Sequence, residues 1–75
     1  MKHSIYLNAK QVLTNEAKEA KRLSNDKGYI RQYINDQNDQ MHRQIDFYAM
    51  QDKFSTAMAN IYKIWLSNIA CKLHP

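Results

Sequence analysis

The sequence predicts an all-α protein, and three observations lead to this fold class. The 75 residues include one glycine and one proline, too few for the turns that separate strands every 8 to 12 residues or so in all-β folds. Apolar residues recur at intervals of three and four, which is the helical repeat. A helix start signal also stands at Asn8. We therefore expect one domain over residues 1–75, a helical hairpin or three-helix arrangement with one long C-terminal amphipathic helix.

The first helix is predicted over residues 8–24. Asn8 is a suitable N-cap, and Gln11 three residues later is the matching partner of a capping box. Leu7 is placed to pack on Val12 as a hydrophobic staple. The preceding apolar run, residues 5–7, is compatible with either an extended arm or an extra helical turn.

Residues 24–28 form a turn-like cluster, in which Asn25 or Asp26 can cap a following helix. An apolar patch at residues 29–34 then shows helical periodicity over two turns. The polar run NDQNDQ at residues 35–40 allows two interpretations. It is either a loop, since Asn and Asp favour caps and turns, or a solvated part of one continuous helix.

A long helix is predicted over residues 41–73. At about 1.5 Å per residue it would extend for roughly 50 Å, whereas the first helix would extend for only about 25 Å. A folded-back hairpin then covers about half of the apolar stripe. The portion around residues 58–73, which includes Ile64 and Trp65, lies beyond the reach of the first helix, and an exposed apolar patch of that kind marks an interaction site. The stripe consists of Phe47, Met50, Phe54, Met58, Ile61, Trp65, Ile69 and Leu73.

This uncovered stripe leads to the first functional hypothesis, a small non-enzymatic helical module that binds protein. It would act as an adaptor, a chaperone-like protein or an inhibitor, or would form a homo-oligomer such as a dimer. Trp65 is the expected interface anchor. The expected partner-binding residues are Phe54, Met58, Ile61, Trp65, Ile69 and Leu73.

The alternative hypothesis is a DNA-binding regulator. The net charge is +4, and residues 8–34 carry six cations against three anions. Residues 20–35 resemble a helix-turn-helix core, within a degenerate motif at about residues 17–35, although Ser24, Asn25 and Glu19 depart from the usual pattern. The resemblance implies nucleic-acid contacts in the major groove. The candidate residues are Lys21, Arg22, Lys27, Arg31 and Gln32.

Other function classes find no support in the sequence. The three histidines are scattered, and His42 with Asp46 is predicted to be a surface pair, so we expect no metal and no cofactor. Ser67 has no evident activating partner in sequence, and we expect no enzyme activity and no small-molecule substrate. No signal peptide or membrane span is expected. The single cysteine, Cys71, fits a cytoplasmic protein.

Overall fold

The computed structural model describes residues 2–75 and contains three helices. They are α1, Lys2–Leu23; α2, Lys27–Met50; and α3, Thr56–Leu73. The Cα atoms occupy 40 × 17 × 16 Å. Since α1 and α2 are about 33 and 36 Å long, both must run along the long axis. The all-α prediction is confirmed, as a three-helix arrangement.

The core is formed by the inward faces of the three helices together with one side chain from the second connection. Alanines on α1 and α3 let the helices approach closely, while larger side chains fill the space between them. Tyr62, Leu13, Ile34, Ile45 and Leu66 are the largest fully buried side chains. The remaining buried apolar residues are Ala9, Ala17, Ala20, Ile30, Met41, Phe54, Ala59 and Ala70.

The predicted start of the first helix at Asn8 is wrong. α1 already includes Lys2, so Asn8 is an exposed residue in the interior of the helix and caps nothing. The helix extends in this direction because Ile5 and Tyr6 pack against the core. The Tyr6 ring stacks on Tyr62 at a centroid distance of 5.2 Å. The capping-box interpretation therefore fails, because apolar contacts continue N-terminal to it.

The first connection, residues 24–26, agrees with the prediction. Asp26 is the N-cap of α2, and its Oδ1 accepts hydrogen bonds from the backbone N–H groups of Gly28 at 2.8 Å and Tyr29 at 3.3 Å. Of the two interpretations of residues 35–40, the continuous helix is confirmed. Ile34 and Met41 are buried on either side of this polar run and hold it in helical phase.

The predicted helix over residues 41–73 is wrong, because the chain reverses between Met50 and Thr56. Asp52 adopts a left-handed conformation with φ of 59°. Its N–H donates to Ala49 O at 3.0 Å, and the N–H of Lys53 donates to Tyr48 O at 3.1 Å. These are the two hydrogen bonds of a Schellman motif, which ends a helix. Ser55 then caps α3, its Oγ accepting from the N–H of Met58 at 3.1 Å.

Phe54 explains why this reversal is stable. Its side chain is only 5% exposed and packs edge-on against Tyr62 at 5.1 Å between centroids. The connection is thus anchored in the core, and α3 returns alongside α1 and α2 instead of extending away from them.

Candidate functional site

The outward side of α3 exposes three large apolar side chains. Ile61, Ile64 and Trp65 remain 39%, 59% and 42% exposed there. Their spacing of three and four places them on one side of the helix, between Ala57 and Asn68. We call these five residues the α3 outer face. It carries no charged side chain, although a surface helix is expected to be polar on the side away from the core.

The opposite side of α3 is buried in the core. Its buried residues are Ala59, Tyr62, Leu66 and Ala70. Trp65 lies at the border between the two sides, with its ring edge-on to Tyr6 at 5.4 Å and to Tyr62 at 5.8 Å. The chain's own packing therefore holds Trp65 in place and leaves much of the indole exposed.

The structure separates the six predicted partner-binding residues into three groups. Phe54 is buried in the chain's own core, so its side chain is not on the surface. Ile61 and Trp65 are exposed on the α3 outer face. The other three, Met58, Ile69 and Leu73, are partly buried and pack against the core.

The reason given for an exposed Trp65 also needs correction. The sequence placed it beyond the reach of the first helix, but α1 begins early enough for Tyr6 to contact it. Ile64, the most exposed of the three large residues on α3, was expected in the uncovered portion of the long helix but was not among the six predicted partner-binding residues. It precedes Trp65 by one position and therefore lies off the predicted stripe.

A polar cluster joins α2 to α3 beside Ile64. Asn38 Nδ2 donates to Ser67 Oγ at 3.2 Å, and Ser67 Oγ lies 3.0 Å from His42 Nε2. Asp46 pairs with Lys63 of α3, at 2.9 Å between Oδ1 and Nζ. The predicted pair of His42 with Asp46 is thus replaced by an ion pair between helices, because α3 brings the Lys63 ammonium to this carboxylate. The sequence showed no activating partner for Ser67, whereas in the structure α2 brings His42 next to it.

The electrostatics of this cluster favour a neutral imidazole. Partial burial lowers the pKa of His42 from its ordinary value, and the nearby Lys63 ammonium lowers it further. Asn38 Oδ1 is buried without a hydrogen-bond partner among the described protein atoms. A groove of about 440 Å³ runs along the cluster, lined by His42, Asn60, Lys63, Ile64, Ser67 and Asn68.

Catalysis by a Ser67–His42 pair has no further support around it. Ser67 lies in the interior of α3, where neighbouring backbone N–H groups are engaged in helical hydrogen bonds. A developing oxyanion would need preorganised donors at this point. The pair is better explained as a hydrogen-bonded contact that fixes α3 on α2.

The candidate nucleic-acid residues lie around the first connection. Lys21, Lys27 and Arg31 are exposed. Arg22 Nε donates to Glu19 Oε2 at 3.0 Å, and Gln32 Nε2 donates to Asp36 Oδ1 at 2.9 Å. The turn position is as predicted, but α1 and α2 run side by side along the long axis. A helix-turn-helix sets its two helices at about 90–120°, so the resemblance to that motif does not extend to its geometry.

Within residues 2–75 no group of three or more His, Cys, Asp or Glu side chains is arranged to hold a metal ion. None of the described helices combines the length and apolar character needed to cross a membrane. Comparison of the chain with models of protein families, with curated protein sequences and with solved structures finds no match.

Proposed function

We propose that this chain is a small protein-binding module that docks a helical partner on the α3 outer face. The observation that carries the proposal is the exposure of Ile61, Ile64 and Trp65 on one side of a helix whose opposite side is already buried. A helix that is apolar on both sides is normally covered on both sides. Contiguous exposed apolar surface is typical of interaction sites.

The arrangement favours a helical partner over an extended one. Side chains at intervals of three and four form a ridge along α3, and such a ridge packs into the groove between side chains of another helix. A strand would instead need an exposed sheet edge, and the described residues form no strand. Trp65 has the features of an interface anchor, since its ring is rigidly held and partly exposed.

Site-specific crosslinking tests the proposal. A photoreactive amino acid placed at position 64 in the native host should give one discrete adduct, and Trp65→Ser in the same chain should remove it. Position 47 is the matched control, because Phe47 is 54% exposed, close to the 59% of Ile64, but lies on α2. An adduct with twice the mass of the 8.9 kDa chain would identify a second copy as the partner. Equal adducts at both positions, or none at position 64, would refute docking at this face.

We further propose that the module acts by binding and not by catalysis, and that it works in the cytoplasm. The exposed free thiol of Cys71 fits a reducing compartment. If Ser67 acts as a nucleophile, a fluorophosphonate probe should label the chain and Ser67→Ala should abolish the labelling. We expect no labelling.

Nucleic-acid binding is the second candidate, supported by the exposed side chains of Lys21, Lys27 and Arg31 at one end of the molecule. Retention on DNA should then fall steeply with salt, and replacing Lys27 and Arg31 with alanine should flatten that dependence while leaving the fold intact. Absence of retention at about 50 mM salt would exclude this candidate, because electrostatic binding is strongest at low salt.

A further inference from the structure

Charge is unequally distributed between the sides of the molecule. All seven Asp and Glu side chains of the sequence lie between residues 16 and 52, and α3 contains none. On α1, Glu19 is engaged by Arg22, and Glu16 accepts a hydrogen bond from Tyr33 of α2 at 2.7 Å. The Glu16 contact shows that this carboxylate faces α2. Glu19 follows Glu16 by three residues and lies on the same side of α1. In the described chain, α1 and α3 therefore direct no Asp or Glu side chain to the side that they share.

Four exposed lysines lie on or beside this shared side. Helical spacing puts Lys10, Lys18 and Lys21 on the part of α1 that also carries the exposed Leu7, and Lys72 follows Trp65 by two turns of α3. Among the described residues the ion pairs are Arg22 with Glu19 and Lys63 with Asp46. None of the four lysines therefore has a carboxylate partner in the part of the chain that the structure describes.

The lysines and the apolar residues lie on the same side of the molecule but at different positions along the helix axes. α1 and α3 run parallel, because His3 and Tyr6 contact Tyr62, and Tyr6 also contacts Trp65. Leu7 accordingly lies at the level of Trp65. From Leu7 to Lys18 the rise along α1 is about 16 Å, and from Trp65 to Lys72 the rise along α3 is about 10 Å. The apolar side chains thus lie at one end of the shared side, and the lysines follow from one to three turns further along.

From this arrangement we infer that the docked partner is an acidic amphipathic helix, with apolar side chains at one end and carboxylates from one to three turns further along. This inference rests on the proposed function and specifies its partner. The apolar end lies against Ile61, Trp65 and Leu7, and the carboxylates pair with Lys10, Lys18 and Lys72. Opposite charges beside an apolar contact fix the direction and register of the partner and accelerate the encounter.

A second copy of the chain fits this surface poorly. In a two-fold symmetric contact the same patch serves both subunits, so the lysines of one copy would face either lysines or apolar side chains of the other. Neither arrangement supplies a carboxylate, and an ammonium group withdrawn from water without a partner is costly. The charge pattern therefore favours a different, acidic protein.

A set of synthetic peptides of about 20 residues, long enough to form a helix, provides the test. The acidic peptide has leucines on one face of its first half and glutamates on the same face of its second half. Two further peptides carry glutamine or lysine in place of glutamate. Binding is followed by the fluorescence of Trp65, the single tryptophan. We expect the acidic peptide to bind at least tenfold more tightly than the glutamine peptide, and the lysine peptide to bind least.

Two sets of substitutions then locate the contact. Lys10→Gln, Lys18→Gln and Lys72→Gln together should weaken binding of the acidic peptide at least tenfold. The matched control, Lys27→Gln, Arg31→Gln and Arg43→Gln on α2, should change it less than twofold. Circular dichroism of each variant verifies that the helices are retained, so that a loss of binding reports the contact.

The outcomes separate this inference from the proposed function. If Ile61→Ser abolishes peptide binding while the lysine substitutions change nothing, docking at the α3 outer face stands and the acidic partner is refuted. If the lysine substitutions abolish binding while Ile61→Ser changes nothing, the proposed docking face is refuted. Failure of the acidic peptide to bind, or tighter binding to vesicles of phosphatidylcholine and phosphatidylglycerol or to a DNA duplex, would also overturn the inference.

Discussion

His42 connects α2 to α3, and its protonation should weaken that connection. Partial burial and the Lys63 ammonium lower the pKa of His42, whereas Asp39, Asp46 and a backbone hydrogen bond with Lys63 act in the opposite direction. Because the folded-state pKa lies below the unfolded value of about 6.5, the unfolded chain binds a proton more readily. The stability that neutral His42 contributes is therefore fully present above its unfolded-state pKa, and it is lost as the pH falls through the folded-state pKa.

We predict that the free energy of unfolding decreases between pH 7.5 and pH 5.5 in the parent chain and decreases less in His42→Gln. His74→Gln is the matched control, since His74 contacts Asn35 near the end of α3 and does not belong to this cluster. Urea denaturation at both pH values measures the difference. The pKa of Glu19, lowered by its hydrogen bond with Arg22, acts in a separate, more acidic range. An equal decrease of the free energy of unfolding in the parent chain and in His42→Gln would contradict the prediction.

Asp52 adopts a backbone conformation that suits glycine better. Its φ of 59° places it in the left-handed region, which costs a residue with a Cβ about 1–2 kcal/mol. Glycine would remove that cost but lose more entropy on folding. We predict that Asp52→Gly raises the free energy of unfolding by about 0.5 kcal/mol. Asp39→Gly, in the interior of α2, should instead lower it by about 0.5 kcal/mol. The midpoints of urea denaturation measure the effects of Asp52→Gly and Asp39→Gly. Equal effects on the free energy of unfolding would contradict the idea that Asp52 is strained.

The ends of the helices depend on different residues from those that the sequence favoured. Ser55 and Asp26 accept hydrogen bonds from otherwise unpaired N–H groups, so replacing either with alanine should cost about 1 kcal/mol. Asn8 lies exposed within α1, where alanine is the better helix former. We predict that thermal unfolding shows a lower Tm for Ser55→Ala and Asp26→Ala, and an unchanged or slightly higher Tm for Asn8→Ala. A clearly lower Tm for Asn8→Ala would contradict this prediction and support the capping box at Asn8.

Helices were predictable from periodicity, but their limits depended on contacts between distant residues. The polar run at residues 35–40 remains helical because flanking Ile34 and Met41 are buried. The reversal after Met50 was missed because the left-handed position holds Asp52, where glycine is the usual signal. Periodicity also continued across the break, since Phe54 is in phase with the stripe although it enters the core from a connection.

At the scale of the whole molecule, the sequence correctly indicated an all-α fold but overestimated the uncovered surface. A straight helix over residues 41–73 would have left its C-terminal half without cover, whereas α3 lies against both other helices. Ile61 and Trp65 were in the predicted partner surface and are exposed. Ile64 lay in the predicted uncovered portion and is also exposed. The position of Lys10, Lys18 and Lys72 beside these residues could not be found from sequence, because it depends on how α1 and α3 are aligned.

Trp65 contributes both to packing within the chain and to the exposed surface. Its substitution should therefore change both the free energy of unfolding and the free energy of binding, which can be measured separately. Its ring contacts Tyr6 and Tyr62, so truncation removes packing within the chain as well as surface for a partner. Full burial would make Trp→Ala cost about 3–5 kcal/mol, and with the residue 42% exposed we expect about 2 kcal/mol of folding stability to be lost. Ile64 is 59% exposed, and Ile64→Ala should cost less than about 1 kcal/mol.

Both substitutions should nevertheless weaken docking, Trp65→Ala by about 2–4 kcal/mol of binding free energy if it is the interface anchor. Urea denaturation of the isolated chain gives the folding term, and titration with the crosslinked partner gives the binding term. Light scattering should show the isolated chain at a mass of 8.9 kDa, because the lysine-bearing side disfavours contact with a second copy. If it is instead a dimer that dissociates in Trp65→Ala, the α3 outer face joins two copies and is not available for a different protein.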